Sequence, residues 1–131
     1  MEFVTPCISR IGRKYGAVRL HSCGNADHIM DAICAVENLN IIDTGSNTSL
    51  AEIRKRRGKE FEINVFPPVE VLSEGSTRED IEEWLFRTLK ENDGGNLKIA
   101  YHLESDYNLS NCLYIHEELD RLGIVKKERL Y

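Results

Sequence analysis

The chain has 131 residues, of which 41% are hydrophobic, and its formal net charge at pH 7 is −5. This length and apolar content predict one globular domain over residues 1–131. The acidic balance excludes a nucleic-acid surface, which needs a dense basic patch. No apolar stretch approaches the roughly 20 residues that cross a bilayer, and no signal peptide is recognisable, so we expect no membrane partner.

Helical and strand-like spacings of apolar residues alternate along the chain. Gly16, Pro67-Pro68 and the turn 93–95 separate several of these segments, because glycine and proline end regular structure. The predicted helices span 2–15, 27–36, 49–57 and 109–122, with another that begins at a capping box formed by Ser76-Thr77-Arg78-Glu79. The predicted strands span 17–20, 39–42, 61–66 and 97–101, and 124–131 is predicted to be a polar tail.

Strands that alternate with helices predict an α/β fold, in which parallel strands are joined by right-handed crossovers. The basic run 54–57 comes immediately before Gly58, where cations complement the carboxyl end of a helix. We therefore interpret this run as structural rather than as a binding patch.

The four cysteines are Cys7, Cys23, Cys34 and Cys112, and they form no C-x-x-C pair. They are also too sparse for a disulfide scaffold. This usage predicts reduced thiols and a cytoplasmic protein, with one of the thiols available as a metal ligand.

The run Leu20-His21-Ser22-Cys23-Gly24-Asn25 carries the clearest chemical signal. It is predicted to lie where a buried strand ends and a loop opens. His21 and Cys23 share one side of an extended segment, because strand side chains alternate. Both are zinc-ligand types, and α/β enzymes place their chemistry at the carboxyl ends of parallel strands. The alternative is a loop histidine beside a half-buried free cysteine.

The sequence resembles the C-terminal half of the uroporphyrinogen decarboxylase superfamily, in particular its cobalamin-dependent, zinc-containing methyltransferase branch. The matching parts are residues 2–6 at the start of a helix, the motif 20–25, Asp43 at a strand end, and the segment 64–72. In that last segment the family usually has Gly-Asn-x-Asp-Pro. The order and spacing agree across nearly the whole chain.

The resemblance implies that residues 1–131 are a partial domain, supplying about strands five to eight of a (β/α)8 barrel of the TIM type. Half a barrel exposes two sheet edges and the side chains that should fill the interior. The resemblance therefore implies a fragment, or a half that is closed by a complementary half-barrel or by self-association of two copies.

In the methyltransferase branch, zinc is held by the histidine and cysteine that match His21 and Cys23, and by a second cysteine. Glu104 stands at that second position, and a carboxylate is also a zinc ligand. A shift of one or two residues would offer His102 or Asp106 instead. The resemblance thus implies the metal ligands His21, Cys23 and Glu104.

Three residues are candidates for contacts with substrate: Asp43, Asn64 and His102. Asp43 is expected either to orient His21 or to contact substrate, and the alternative is that it caps a turn. Asn64 is expected to line the pocket or to bond the local backbone.

The implied reaction moves a methyl group between a corrinoid cofactor, carried by a separate corrinoid protein, and a thiol acceptor. Zinc would lower the pKa of that thiol. Two alternatives stay open: a cofactor-free decarboxylase like the superfamily's namesake, and a non-catalytic half-barrel remnant or subunit. Because barrel enzymes draw binding residues from all eight loops, this chain alone is not expected to be active.

Overall fold

The structure is a computed structural model that describes residues 3–124. Within these residues two compact units are present: the first comprises residues 3–67 and 87–101, and the second comprises 68–86 and 102–124. Of the predicted polar tail, only Ile124 lies within the described residues.

Helices and strands alternate along the described chain, as the sequence predicts. They are α1 (Val4–Tyr15), β1 (Val18–Ser22), a 3-10 turn (Asp27–Ile29), α2 (Met30–Cys34), β2 (Leu39–Gly45), α3 (Leu50–Arg57), β3 (Glu62–Phe66), α4 (Val69–Leu72), α5 (Arg78–Asn92), β4 (Leu97–Ile99) and α6 (Leu109–Arg121). The short helix α4, which follows the proline pair, was not predicted. No helix in this described part of the chain is long and apolar enough to cross a membrane.

The first unit contains a four-stranded sheet in the order β1-β2-β3-β4, with every pair parallel. The predicted α/β class and parallel pairing are confirmed, and the sheet is compatible with half a barrel. The predicted carboxyl-terminal ends of three strands were wrong. β4 ends at Ile99 rather than at residue 101. β1 continues through Ser22 and β2 through Gly45, because parallel pairing continues from His21↔Asp43 to Ser22↔Thr44.

The two faces of the sheet differ in polarity. One face carries in-register rows of apolar side chains, including Ile42, Ile63 and Val65, of which each is at most 2% exposed. Burying one such side chain stabilises the fold by about 1.5–3 kcal/mol. The opposite face carries Arg19, His21, Asp43, Glu62, Asn64 and Lys98.

The basic run at the end of α3 is structural, and Arg54 is its buried member. The Arg54 guanidinium donates to the carbonyl oxygens of Phe61 at 2.5 Å and Asn96 at 2.6 Å, and to Asn92 Oδ1 at 2.6 Å. It also reaches the carbonyl of Gly58 at 3.1 Å. Its partners are thus oxygens of uncharged groups, and they tie the end of α3 to the segments that flank β3 and β4. Arg54 and its oxygen partners on Gly58, Phe61, Asn92 and Asn96 form the Arg54 network.

Helix α1 packs with its small residues inward. An amphipathic helix usually buries its apolar stripe, but in α1 the buried residues are Ser9 and Gly12. Ser9 Oγ accepts from the Glu37 backbone N–H at 3.1 Å, and the Thr5 hydroxyl donates to the Ala32 carbonyl at 3.1 Å. A Cβ at Gly12 would overlap the Glu37 carbonyl oxygen, so only glycine allows this close approach.

Apart from the half-buried Ile8, the large apolar residues of α1 and its N-cap face outward, and together they form what is called here the outer stripe. Its members are Phe3 (81% exposed), Val4 (56%), Ile11 (53%), Tyr15 (70%) and the exposed Cys7.

In the second unit, α5 begins at a capping box one residue later than predicted. Thr77, rather than Ser76, is the capping residue: its hydroxyl accepts from the Asp80 N–H at 3.2 Å, and the Asp80 carboxylate accepts from the Thr77 N–H at 2.8 Å. Asp80 fills the role predicted for Glu79, since its shorter carboxylate also reaches back to the backbone. The hydrogen bond from the Thr77 backbone lowers the pKa of Asp80 below its ordinary value.

Candidate functional site

One row of side chains crosses all four strands on the polar face of the sheet. His21, Asp43, Asn64 and Lys98 are paired in register across β1, β2, β3 and β4. Because in-register partners lie on the same face, the row brings together three of the residues that the sequence predicts for the site. Those three are His21, Asp43 and Asn64, all in the first unit.

His21 and Cys23 lie side by side at the end of β1. The imidazole Nε2 is 2.7 Å from Cys23 Sγ, and both residues are exposed. The ring of Phe66 meets the imidazole edge-on, with ring centroids 5.7 Å apart. An imidazole nitrogen and a thiol sulfur are donor types that zinc prefers, so the pair fits zinc as two of its ligands.

Asp43 is the buried partner of this pair, at 4% exposure. One carboxylate oxygen, Oδ2, accepts from Arg19 Nε at 2.8 Å and lies 3.5 Å from His21 Nδ1. Burial by itself raises the pKa of Asp43, but the hydrogen bonds from Arg19, Asn64 and His21 outweigh it and hold the pKa below its ordinary value. Asp43 is therefore an anion at neutral pH. Its charge favours a proton on His21 Nδ1 and leaves the Nε2 lone pair facing Cys23.

Asn64 is held by Asp43 and has one unused oxygen. Its Nδ2 donates to Asp43 Oδ1 at 2.7 Å, which fixes the amide because the reversed orientation would bring two oxygens together. The other amide atom, Oδ1, is buried and has no hydrogen-bond partner among the described residues. Buried acceptors are rarely left without a partner, so the row is not a saturated network.

The loop that carries Cys23 is fastened to the segment after β2. Thr48 Oγ1 donates to the Gly24 carbonyl and accepts from the Ala26 N–H, each at 3.1 Å. Asn25 Nδ2 donates to the Asn47 carbonyl at 2.7 Å. A Cβ at Gly45 would overlap the Cys23 carbonyl oxygen, so glycine is needed where the loop passes β2.

The role of Thr48, which is 3% exposed, was not predicted from the sequence. Asn25 followed by Asp27 is a signal that could have indicated an ordered turn here, because both residue types favour turns. It did not identify the partner segment, which is more than twenty residues later in the chain.

The remaining predicted residues belong to the second unit. His102 and Glu104 lie in the segment between β4 and α6, where both are exposed, and the Glu104 carbonyl accepts from the Tyr107 N–H at 3.1 Å. Among residues 3–124, no group of three or more His, Cys, Asp and Glu side chains is gathered closely enough to hold a metal ion. Glu104 as a ligand and His102 as a substrate contact therefore stay predictions.

Two of the other cysteines differ from Cys23 in their surroundings. Cys34 is half-buried and Cys112 is buried, and burial raises the pKa of both thiols. A buried thiol with a raised pKa is a poor nucleophile and a poor metal ligand. Cys23, in contrast, is exposed and has the His21 imidazole beside it.

No protein-family model matches the chain, and no significant match is found among the curated proteins or the solved structures.

Proposed function

We propose that this chain is one half of a (β/α)8-barrel methyltransferase in which His21 and Cys23 are zinc ligands. The reaction moves a methyl group between a corrinoid cofactor on a partner protein and a thiol acceptor. One observation carries the proposal beyond the sequence resemblance: the His21 imidazole stands between the Cys23 thiol and the buried Asp43 carboxylate. The second nitrogen of a zinc-binding histidine is usually hydrogen-bonded, and a carboxylate is one of its common partners.

Each residue of this group has a defined task. Asp43 stays ionised and holds the His21 ring in the tautomer whose Nε2 can bind metal. Arg19 and Asn64 keep Asp43 in place through hydrogen bonds of 2.8 and 2.7 Å. Zinc, when bound, would lower the pKa of the acceptor thiol so that a thiolate exists at neutral pH. Glu104 is the proposed third ligand, on the resemblance alone.

The metal content of the purified chain tests this proposal directly. We expect about one zinc per chain by mass spectrometry, as in a catalytic zinc site. The Cys23→Ser and His21→Ala variants should lose that zinc. Cys7→Ser is the matched control, because Cys7 is also an exposed cysteine of the first unit but lies on α1. Folded protein that contains no zinc, or zinc that survives Cys23→Ser, would contradict the proposal.

A second candidate is a non-catalytic half-barrel that completes another chain. Catalytic zinc sites use three protein ligands. At the row, the first unit offers the histidine and cysteine pair His21 and Cys23. This shortfall of one ligand favours the non-catalytic candidate. Zinc-free folded protein would favour this candidate. Tetrapyrrole binding by that zinc-free protein would instead favour a decarboxylase.

A further inference from the structure

The outer stripe of α1 is an apolar surface that stays exposed in the folded chain. Phe3, Val4, Cys7, Ile11 and Tyr15 are all exposed along one side of the helix, while the helix is attached by small residues on its other side. Single exposed apolar residues are ordinary on a protein surface. A contiguous stripe of five marks an interaction site.

Three basic side chains border this stripe, and one of them has an acidic partner among the described residues. The helix Val4–Tyr15 contains no acidic residue, and it carries Arg10, Arg13 and Lys14. Arg13 is paired with Glu37 at 2.7 Å. Arg10 and Lys14 take part in none of the ion pairs among residues 3–124. They lie three and seven positions after Cys7, which places them beside the apolar side chains.

We propose that the outer stripe binds an amphipathic helix of another polypeptide, whose apolar face is edged by glutamate or aspartate. An apolar helix face is recognised by a second apolar helix face, and complementary charges beside it fix the partner and its orientation. A second copy of α1 is a poor occupant, because its own Arg10 and Lys14 would add like charge to the contact. The same basic side chains would also attract an anionic lipid surface, so vesicle binding is measured as the competing outcome.

Two designed helical peptides test the proposal by fluorescence anisotropy. They share one leucine stripe, but one carries glutamate and the other lysine at the flanking positions. We expect the glutamate peptide to bind at least about tenfold more tightly, and to lose affinity as salt is added. Ile11→Asp should weaken this binding at least about tenfold, because it places a charge in the centre of the apolar contact. The double variant Arg10→Glu, Lys14→Glu should reverse the preference between the two peptides.

Leu113→Asp is the matched control for Ile11→Asp. Leu113 and Ile11 are both 53% exposed on helix surfaces, but Leu113 lies on α6. It should leave peptide binding unchanged, and circular dichroism should show that all variants fold. Cys23→Ser should also bind the peptide normally, which separates this proposal from the zinc proposal.

Equal binding of the two peptides, or no binding of either, would overturn the proposal. Sedimentation of the wild-type chain as a dimer that Ile11→Asp dissociates would assign the stripe to a second copy. Binding of phosphatidylglycerol vesicles in place of the glutamate peptide would assign it to lipid.

Discussion

Two clusters of buried polar groups in the first unit differ in how completely their hydrogen bonds are satisfied. The Arg54 network buries a guanidinium and surrounds it with carbonyl and amide oxygens. The row of His21, Asp43 and Asn64 leaves two side chains exposed at its open end, His21 and the adjoining Cys23, and leaves Asn64 Oδ1 without a partner among the described residues. Satisfied networks hold a fold together, whereas incomplete ones are where a ligand can be accepted. The Arg54 network is therefore a structural cluster, whereas the row keeps polar atoms that are open to a ligand.

The largest expected effect comes from removing the Arg54 side chain. Arg54→Met leaves the buried Phe61 carbonyl and the Asn92 amide oxygen without their donor, whereas the Asn96 carbonyl keeps its hydrogen bond from the Ile63 N–H. Each buried acceptor left unpaired costs about 1–3 kcal/mol. We expect the free energy of unfolding to fall by at least about 3 kcal/mol in urea titrations. Arg54→Lys should recover part of this loss, since an ammonium group restores the charge but not all of the donors. If Arg54→Met lowers the free energy of unfolding by less than about 1 kcal/mol, the Arg54 network does not stabilise the fold.

Gly45→Ala should disturb both stability and the site. The added Cβ overlaps the Cys23 carbonyl oxygen, so the loop must move. We expect a loss of about 1–3 kcal/mol in unfolding free energy, as for other overpacked positions, together with loss of bound zinc. Gly24→Ala is the control, because a Cβ there meets no atom within 4 Å and Gly24 has no positive φ. If Gly24→Ala has the same effect, the close approach at Gly45 is not the cause.

Asp43→Asn should weaken zinc binding more than it lowers the stability of the fold. The amide is nearly isosteric but no longer an anion, so His21 loses the charge that orients it. We expect zinc affinity, measured by chelator competition, to fall by about 10- to 100-fold. Glu37→Gln serves as a control, because it also removes a carboxylate from an arginine pair, that with Arg13, at a distance from the row. Unchanged zinc affinity in Asp43→Asn would show that His21 needs no carboxylate behind it.

The smallest expected effect concerns the capping box at the start of α5. The pKa of Asp80 is lowered in the folded chain, so its contribution to stability is present above its unfolded pKa of about 3.9 and is lost as the pH falls through the folded value. Thr77→Ala should cost about 1 kcal/mol at neutral pH. The difference between wild type and Asp80→Asn should shrink as the pH is lowered from 5 towards 2 in thermal unfolding. A difference that grows with acidity would contradict this assignment.

The sequence was sufficient for the class of fold but not for the exact ends of the strands. Alternating periodicity predicted the parallel sheet, and the spacing of His21 and Cys23 predicted that they meet. Asp43-Thr44-Gly45 resembles a turn, because each residue type favours turns. In the folded chain, parallel pairing to β1 and β3 outweighs that local preference and places Asp43 beneath His21.

Two other features depend on contacts between distant residues and could not be read from local pattern. Arg54 lies in a run of four basic residues, and the partners that select it for burial are as far away as Asn96. The orientation of α1 depends on Gly12 meeting the Glu37 carbonyl, whereas its apolar periodicity alone favours burial of the opposite side.

The attachment of α1 through Thr5, Ser9 and Gly12 has a consequence for how this molecule can change. Residues that fasten the helix and residues that it displays are separate sets, so substitutions at the exposed positions remove none of the contacts that attach the helix. The displayed set can be rewritten for a new binding partner without repacking the interior. The exposed side of α1 can therefore change in sequence while the contacts that hold the helix in place stay the same.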